Sequence, residues 1–144
     1  VGDTLLVTNG DQTDTIRDYL LVGKSWEEAL ATREFEPDAP NYTPRISALL
    51  AADGSFRMSI LRRGADGSCR RDFFSYPPCG AGEGRFLSTY RGDGDPLPSF
   101  RGEPLAVTAP EPEEIWAALN PENRISLYAN VGGSVRIFNR NLGD

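Results

Sequence analysis

Residues 2–16 have the sequence GDTLLVTNGDQTDTI, which combines a strand, a turn and the start of a helix. The apolar run in its middle predicts a short buried strand over residues 4–8. Asn9 and Gly10 predict a turn, since both residues tolerate positive φ. Apolar residues then recur at spacings of three and four, which predicts a helix over 13–22. This order of elements sets the layout of the first part of the fold.

The remainder of the chain favours short strands. Ser25 and Glu28 form a capping-box pattern that opens a second helix ending near Thr32. Strands are predicted over 45–51, 56–62, 70–76, 85–90, 105–108, 124–129 and 135–138, with a third helix over 113–119. Grouped strands and helices of this kind indicate an α+β fold rather than alternating βαβ units. A length of 144 residues predicts one domain, 1–144.

Charge and hydropathy restrict the class of protein. The net charge is −6, which disfavours a nucleic-acid-binding protein, because such proteins normally carry a basic face. No apolar run approaches the roughly 20 residues of a membrane span, and no signal peptide is visible. We therefore expect a cytoplasmic protein that binds neither nucleic acid nor membrane. Cys69 and Cys79 are expected to be free thiols, with a disulfide between them left open.

The chain contains no histidine, and this restricts its chemistry. A Ser-His-Asp triad, a Cys-His pair and a histidine-ligated metal are all excluded. Acid–base catalysis must use Asp, Glu, Lys, Tyr, Cys or water. Because lysine is scarce, cationic roles fall mainly to arginine, whose planar fork grips phosphate or carboxylate.

A second segment, residues 35–47, has the sequence FEPDAPNYTPRIS. Together with residues 2–16 it resembles the archaeal-type IMP cyclohydrolase family. That family has an Asn-Gly turn, a Thr-Asp-Thr-Ile helix start and, about thirty residues later, a Thr-Pro-Arg-Ile strand start. Residues 42–47 and 81–90 are most similar to the bacterial branch. The resemblance covers roughly the first ninety residues well and the rest loosely.

The resemblance implies a four-layer α-β-β-α sandwich similar to N-terminal-nucleophile hydrolases. It implies closure of a formamido-imidazole-carboxamide ribonucleotide to IMP in purine biosynthesis, with a purine ribonucleotide as ligand and no cofactor or metal. Family members also carry an N-terminal portion that supplies an arginine-rich segment and a tyrosine to the site. We therefore expect this chain to be the C-terminal part of such a domain, incomplete at its N-terminus and dependent on that portion for activity. Whether it forms a homo-oligomer is left open.

Arg45 and Glu36 are the predicted catalytic residues. Arg45 follows a rigid Thr-Pro step at a strand start and could hold the 5′-phosphate or polarise the formyl oxygen. The alternative for Arg45 is an ordinary salt bridge. Glu36 matches a family glutamate and could accept the carboxamide proton or orient the ring, with Asp38 as the weaker rival. The alternative for Glu36 is a solvated loop acid.

Six further residues are predicted to bind substrate. At the first turn the backbone can approach a ligand closely, and the helix start offers free N–H groups. Asp11 and Asp14 would repel a phosphate there, so a ribose or base contact is favoured, with simple helix capping as the alternative. Tyr42 could stack on the imidazole, donate its hydroxyl or pack. The six residues are Asn9, Gly10, Thr13, Asn41, Tyr42 and Thr43.

Two other functions stay open at this point. The same fold could serve a non-catalytic protein that binds purine nucleotides, because function lives in the site and not in the fold. An amide hydrolase of the wider fold would need a nucleophilic Cys, Ser or Thr at a mature N-terminus. Val1 is none of these residues.

Overall fold

A computed structural model describes residues 2–141. Its helices and strands are β1 (Leu5–Thr8), α1 (Gln12–Leu21), α2 (Trp26–Ala31), β2 (Arg45–Leu50), β3 (Phe56–Arg63), β4 (Cys69–Tyr76), β5 (Glu83–Phe86), β6 (Leu105–Thr108), α3 (Pro112–Ala118), β7 (Ser126–Val131) and β8 (Ser134–Asn139). The chain divides into two compact units, residues 1–107 and 108–144. The assignment of a single domain stays a prediction. The α+β class is confirmed, with antiparallel strands in the main sheet and few helices.

The first unit is built on a four-stranded antiparallel sheet in the order β1-β2-β3-β4. Arg45 on β2 pairs with Leu61 on β3, and Ser47 pairs with Ser59, so these alternate residues share one face. Helices α1 and α2 cover that face. They begin at the predicted positions, and the capping box at Ser25 is present. A two-stranded sheet of β5 and β6 completes the unit.

The core of this unit lies between the helices and the sheet. Trp26 and Leu30 of α2 and Ile16 of α1 are fully or almost fully buried against Leu49 and Leu61 of the sheet. Complete burial of each large apolar side chain contributes on the order of 1.5–3 kcal/mol. This layer anchors the start of α1 beside the start of β2, where the predicted site residues lie.

The second unit contains α3 and the hairpin of β7 and β8. Trp116 of α3 stacks on Phe138 of β8 with ring centroids 5.9 Å apart, and Arg124 lies 4.4 Å from the centroid of the Trp116 ring. Glu113 and Arg136 form an ion pair between the helix and the hairpin. These contacts hold the helix against one face of the hairpin.

The prediction of a strand over 85–90 is wrong in its bounds. The strand ends at Phe86, and Tyr90 takes part only in an isolated bridge with Ser99. The hydroxyl of Ser88 donates to the carbonyl of Tyr90 at 2.7 Å, and such local side-chain bonds compete with a strand ladder.

Two further features concern membrane spans and cysteines. Within residues 2–141, no helix is long and apolar enough to cross a membrane. Cys69 and Cys79 are both free, the first half-buried and the second exposed. Burial raises the pKa of the Cys69 thiol.

Candidate functional site

Arg45 is the centre of a polar cluster at the start of β2. Its side chain is only 9% exposed. Nη1 donates to Gln12 Oε1 at 2.9 Å and to Asp11, and it forms an ion pair with Glu36 Oε1 at 2.9 Å. Nε donates to the carbonyl of Glu34 at 2.8 Å. A buried guanidinium needs such partners to offset its lost hydration. Arg45 is thus ion-paired at the predicted position, and its catalytic role stays a prediction.

Gln12 connects this cluster to Asn9. It is fully buried, and its amide nitrogen donates to Asn9 Oδ1 at 3.0 Å and to the carbonyl of Ile46 at 3.1 Å. Asn9 accepts a further bond from the backbone N–H of Ile46 at 2.9 Å and donates to the carbonyl of Pro44 at 2.9 Å. The Asn9 side chain therefore ties the turn to the start of β2.

Gly10 is needed because a side chain at this position would have no room, and not because of its backbone conformation. Although both residues tolerate positive φ, neither Asn9 nor Gly10 adopts it. A Cβ on Gly10 would lie 2.7 Å from Gln12 Oε1, 2.9 Å from Arg45 Nη1 and 3.4 Å from Glu36 Oε1. The absence of a side chain lets the turn pack directly on the Arg45 cluster.

Asp11 bridges two arginines at the start of α1. It occupies the N-cap position, but its side chain caps no backbone N–H and instead pairs with Arg33 and Arg45. The hydrogen bond from Arg33, followed by that from Arg45, holds the pKa of the Asp11 carboxyl below its usual range. Two guanidinium groups and the carboxylates of Asp11 and Glu36 balance, so the cluster carries no net charge.

The segment 33–44 covers one end of the helix-bearing face of the sheet. Arg71 on β4 fixes its start by donating to the carbonyls of Leu30 at 3.0 Å and Arg33 at 2.6 Å. The backbone N–H of Glu36 donates to the carbonyl of Thr43 at 2.9 Å, which closes the segment on itself. These contacts set the position of Glu36 beside Arg45.

Asp38 stabilises this segment through hydrogen bonds to Thr43. It accepts from the backbone N–H of Thr43 at 2.6 Å and from the Thr43 hydroxyl, and these bonds hold the pKa of Asp38 below its usual range. The Thr43 hydroxyl also contacts the Tyr90 hydroxyl at 2.6 Å. Asn41 accepts from the backbone N–H of Leu97 at 3.0 Å. Thr43 and Asn41 thus join this segment to the 88–98 loop.

Tyr42 has an unusual backbone, with φ +46°. A non-glycine residue rarely adopts this left-handed region, so surrounding contacts must maintain it. Its ring lies 5.7 Å from that of Phe35 at 88°, and the Arg63 guanidinium lies 4.4 Å from its centroid. One side of the aromatic surface is therefore already in contact with a cation.

Thr13 and a small cavity complete the surroundings. The Thr13 hydroxyl donates to the carbonyl of Gly10 at 2.8 Å and contacts the Thr8 hydroxyl. An apolar cavity of 220 Å³ lies at the other side of β1 and β2, lined by Val7, Thr8, Asn9, Ile46, Ser47, Ala48, Met58 and Leu87. Among residues 2–141, no group of three or more Cys, Asp or Glu side chains is arranged to hold a metal ion.

The structure brings Arg45, Glu36 and Gly10 into direct contact, with Asn9 one residue away through Gln12. Thr13 is attached to the same turn, whereas Asn41, Tyr42 and Thr43 lie on the adjoining segment, where they contact Leu97, Arg63 and Tyr90 respectively. Sequence reasoning missed the part played by Gln12, Asp11 and Arg33. Asp11 and Gln12 directly follow the Asn-Gly turn, and this position could have identified them. No feature of the sequence indicated Arg33.

Comparison with known proteins gives one family. A family model described as IMP cyclohydrolase-like protein matches residues 1–134. No solved structure matches the chain significantly.

Proposed function

The chain belongs to the IMP cyclohydrolase-like protein family, and from this membership we propose that it closes a formamido-imidazole-carboxamide ribonucleotide to IMP. The observation that carries the proposal is the contact between Arg45 and Glu36, whose Nη1 and Oε1 atoms are 2.9 Å apart. This contact places a buried cation beside a partly exposed carboxylate, so that charge stabilisation and proton transfer need no histidine.

The reaction joins the carboxamide nitrogen to the formyl carbon. The formyl carbonyl becomes a tetrahedral hydroxyl-bearing carbon, and its bond to oxygen then breaks. Water leaves with that oxygen and two hydrogens, one from the carboxamide nitrogen and one from the formamido nitrogen. An amide nitrogen is a weak nucleophile and hydroxide is a poor leaving group. The site must therefore align the two groups, polarise the formyl oxygen and move protons.

Arg45 is suited to the polarising role rather than to the phosphate. Its Nη1 and Nε are engaged, whereas Nη2 donates to no residue within 2–141. That amino group is the donor available to a developing oxyanion. A doubly charged phosphate would have to compete with Asp11 and Glu36 for the same guanidinium, and the neutral cluster offers no surplus charge.

Glu36 is suited to proton transfer. Its Oε1 forms an ion pair with Arg45 Nη1, and Oε2 has no hydrogen-bond partner among the described residues. The side chain is 36% exposed, so a substrate can reach it. We assign Glu36 as acceptor of the carboxamide proton and as donor to the departing oxygen. Asp38 is the weaker choice because both its oxygens are used by Thr43.

Several finer features belong to the same proposal. They are a role in purine biosynthesis, activity without a metal, a cytoplasmic location and a four-layer sandwich similar to N-terminal-nucleophile hydrolases. The main sheet, with helices on one face and apolar residues on the other, is compatible with such layers. Asn9, Gly10 and Thr13 then shape the turn beneath the cluster.

The test compares two glutamates that lie two residues apart. IMP formation is followed by absorbance with the intact gene product, with Glu36→Gln and with the control Glu34→Gln, an exposed residue that contributes only its carbonyl to the cluster. Loss of proton transfer should lower kcat about a hundredfold or more for Glu36→Gln. The control should remain within about threefold. An inactive wild-type protein, or equal activity in both variants, would overturn the proposal.

A further inference from the structure

The Arg45 cluster leaves the phosphate of the proposed substrate without an obvious partner. Both of its arginines are paired with carboxylates, and the cluster is neutral. A ribonucleotide nevertheless carries a phosphate of about two negative charges near pH 7. A second cationic group within the reach of one nucleotide is therefore needed.

Arg63 at the end of β3 has the required freedom. It makes no ion pair with any Asp or Glu in residues 2–141, in contrast to Arg33, Arg45 and Arg62. Its side chain is exposed, and its contact within the protein is the face of the Tyr42 ring, 4.4 Å from the centroid. An arginine held on an aromatic face keeps its hydrogen-bonding fork available to an anion.

The Arg63 guanidinium lies next to two groups. One is the Tyr42 ring, and the other is the following turn, where a Cβ added to Gly67 would lie 3.4 Å from Arg63 Nη2. Tyr42 is the residue held at φ +46°, and Phe35 supports its ring at 5.7 Å. Strained backbone of this kind persists at sites where surrounding contacts fix it, and ligand sites are among them.

The strand register puts Arg63 near the proposed reaction centre. Arg45 is the register partner of Leu61, and Arg63 follows two residues later on the same face of the sheet. Two residues advance a strand by about 7 Å, so the Cα atoms of Arg45 and Arg63 lie roughly 8 Å apart. A ribonucleotide spans such a distance between its heterocycle and its 5′-phosphate.

We propose that Arg63, held on the ring of Tyr42, binds the 5′-phosphate of the ribonucleotide while Arg45 and Glu36 act on the formyl and carboxamide groups. The assignment rests on the proposed function for the identity of the substrate. Tyr42 is then a positioning residue for Arg63, and not the surface on which the imidazole stacks.

The experiment compares a substrate with and without phosphate in Arg63→Met, Arg63→Lys and the control Arg70→Met. Arg70 is an exposed strand arginine whose register partner is Arg62, one residue before Arg63, and it therefore lies on the opposite face. KM and kcat are measured for the formamido ribonucleotide and for the corresponding riboside, and Kd is measured for IMP. Arg63→Met should raise KM for the ribonucleotide and Kd for IMP roughly tenfold to hundredfold. KM of this variant for the riboside, which lacks the phosphate, should stay within about threefold of wild type.

The lysine variant should recover part of the affinity, because it restores the charge without the fork. An active wild type with unchanged KM and Kd in Arg63→Met overturns the phosphate assignment alone. Equal losses for ribonucleotide and riboside also overturn it. A wild type that binds IMP, loses this binding in Arg63→Met and shows no turnover supports the phosphate contact while refuting the cyclohydrolase. A wild type that neither binds nor turns over refutes both.

Discussion

Replacement of Gln12 by methionine tests whether the buried amide holds the site together. Gln12 makes two bonds to neutral groups, each worth about 1 kcal/mol, and one to the Arg45 guanidinium, worth about 1.5–3 kcal/mol. Each partner retains another bond: Asn9 Oδ1 accepts from Ile46, the Ile46 carbonyl accepts from the Asn9 N–H, and Arg45 retains two carboxylates. No orphaned group is left, and methionine fills a similar volume. The three bonds sum to about 3.5–5 kcal/mol, and burial of the apolar methionine side chain offsets roughly 1–1.5 kcal/mol of this sum. We therefore expect a loss of about 2–4 kcal/mol in the free energy of unfolding.

The assay is urea unfolding followed by fluorescence, with Tm measured in parallel. For a chain of this length Tm falls by about 2–4 °C per kcal/mol, which gives a decrease of roughly 4–16 °C. Asp18→Met on the exposed side of the same helix is the control and should cost no more than about 1 kcal/mol, the range of its surface pair with Arg17. Equal Tm values for Gln12→Met and wild type would refute the argument that this amide bridges the turn and Arg45.

Three other predictions concern space, pH and thiol reactivity. Gly10→Ala should destabilise the protein by about 1–3 kcal/mol and lower kcat, because the new Cβ meets the Arg45 cluster, whereas Gly92→Ala, with no atom within 4 Å, should change neither. The pKa of Asp11 is lower in the folded protein than its unfolded value of 3.8. Its ion pairs therefore contribute fully to the free energy of unfolding above pH 3.8, and this contribution is lost as the pH falls through the folded-state pKa. Unfolding free energies below pH 4 should accordingly depend less on pH in Asp11→Asn than in wild type. A thiol reagent at pH 8 should modify Cys79 before Cys69, whose pKa is raised by burial; equal rates would contradict that assignment.

Local patterns predicted most of the helices and strands. The capping box at Ser25 and the period of α1 depend on residues within a few positions of one another, so the sequence alone carries their signal. The antiparallel pairing of β2 with β3 follows from the one short turn between the strands predicted over 45–51 and 56–62. The prediction of a strand over 85–90 was wrong because the Ser88 hydroxyl donates a hydrogen bond to the Tyr90 carbonyl. This local bond competes with strand pairing, and the hydrophobic pattern carries no signal for it.

The polar cluster was only partly predictable. Arg45 and Glu36 were both predicted as catalytic residues, and they are in contact. Gln12 is fully buried although glutamine is usually exposed, and its burial depends on partners 33 and 34 residues away in the sequence. The pairing of Asp11 with Arg33 likewise arises only when α1 and the segment after α2 fold against each other. Contacts of this kind are decided by tertiary packing and leave no short-range pattern.

We propose that this chain closes the second ring of a purine nucleotide at the Arg45–Glu36 pair. The most direct measurement incubates the intact gene product with the formamido ribonucleotide and follows IMP by absorbance, with and without a chelator. We predict multiple turnovers at the same rate in both conditions. IMP that binds tightly without being formed would contradict catalysis, and a rate abolished by the chelator would contradict a mechanism carried by these two side chains alone.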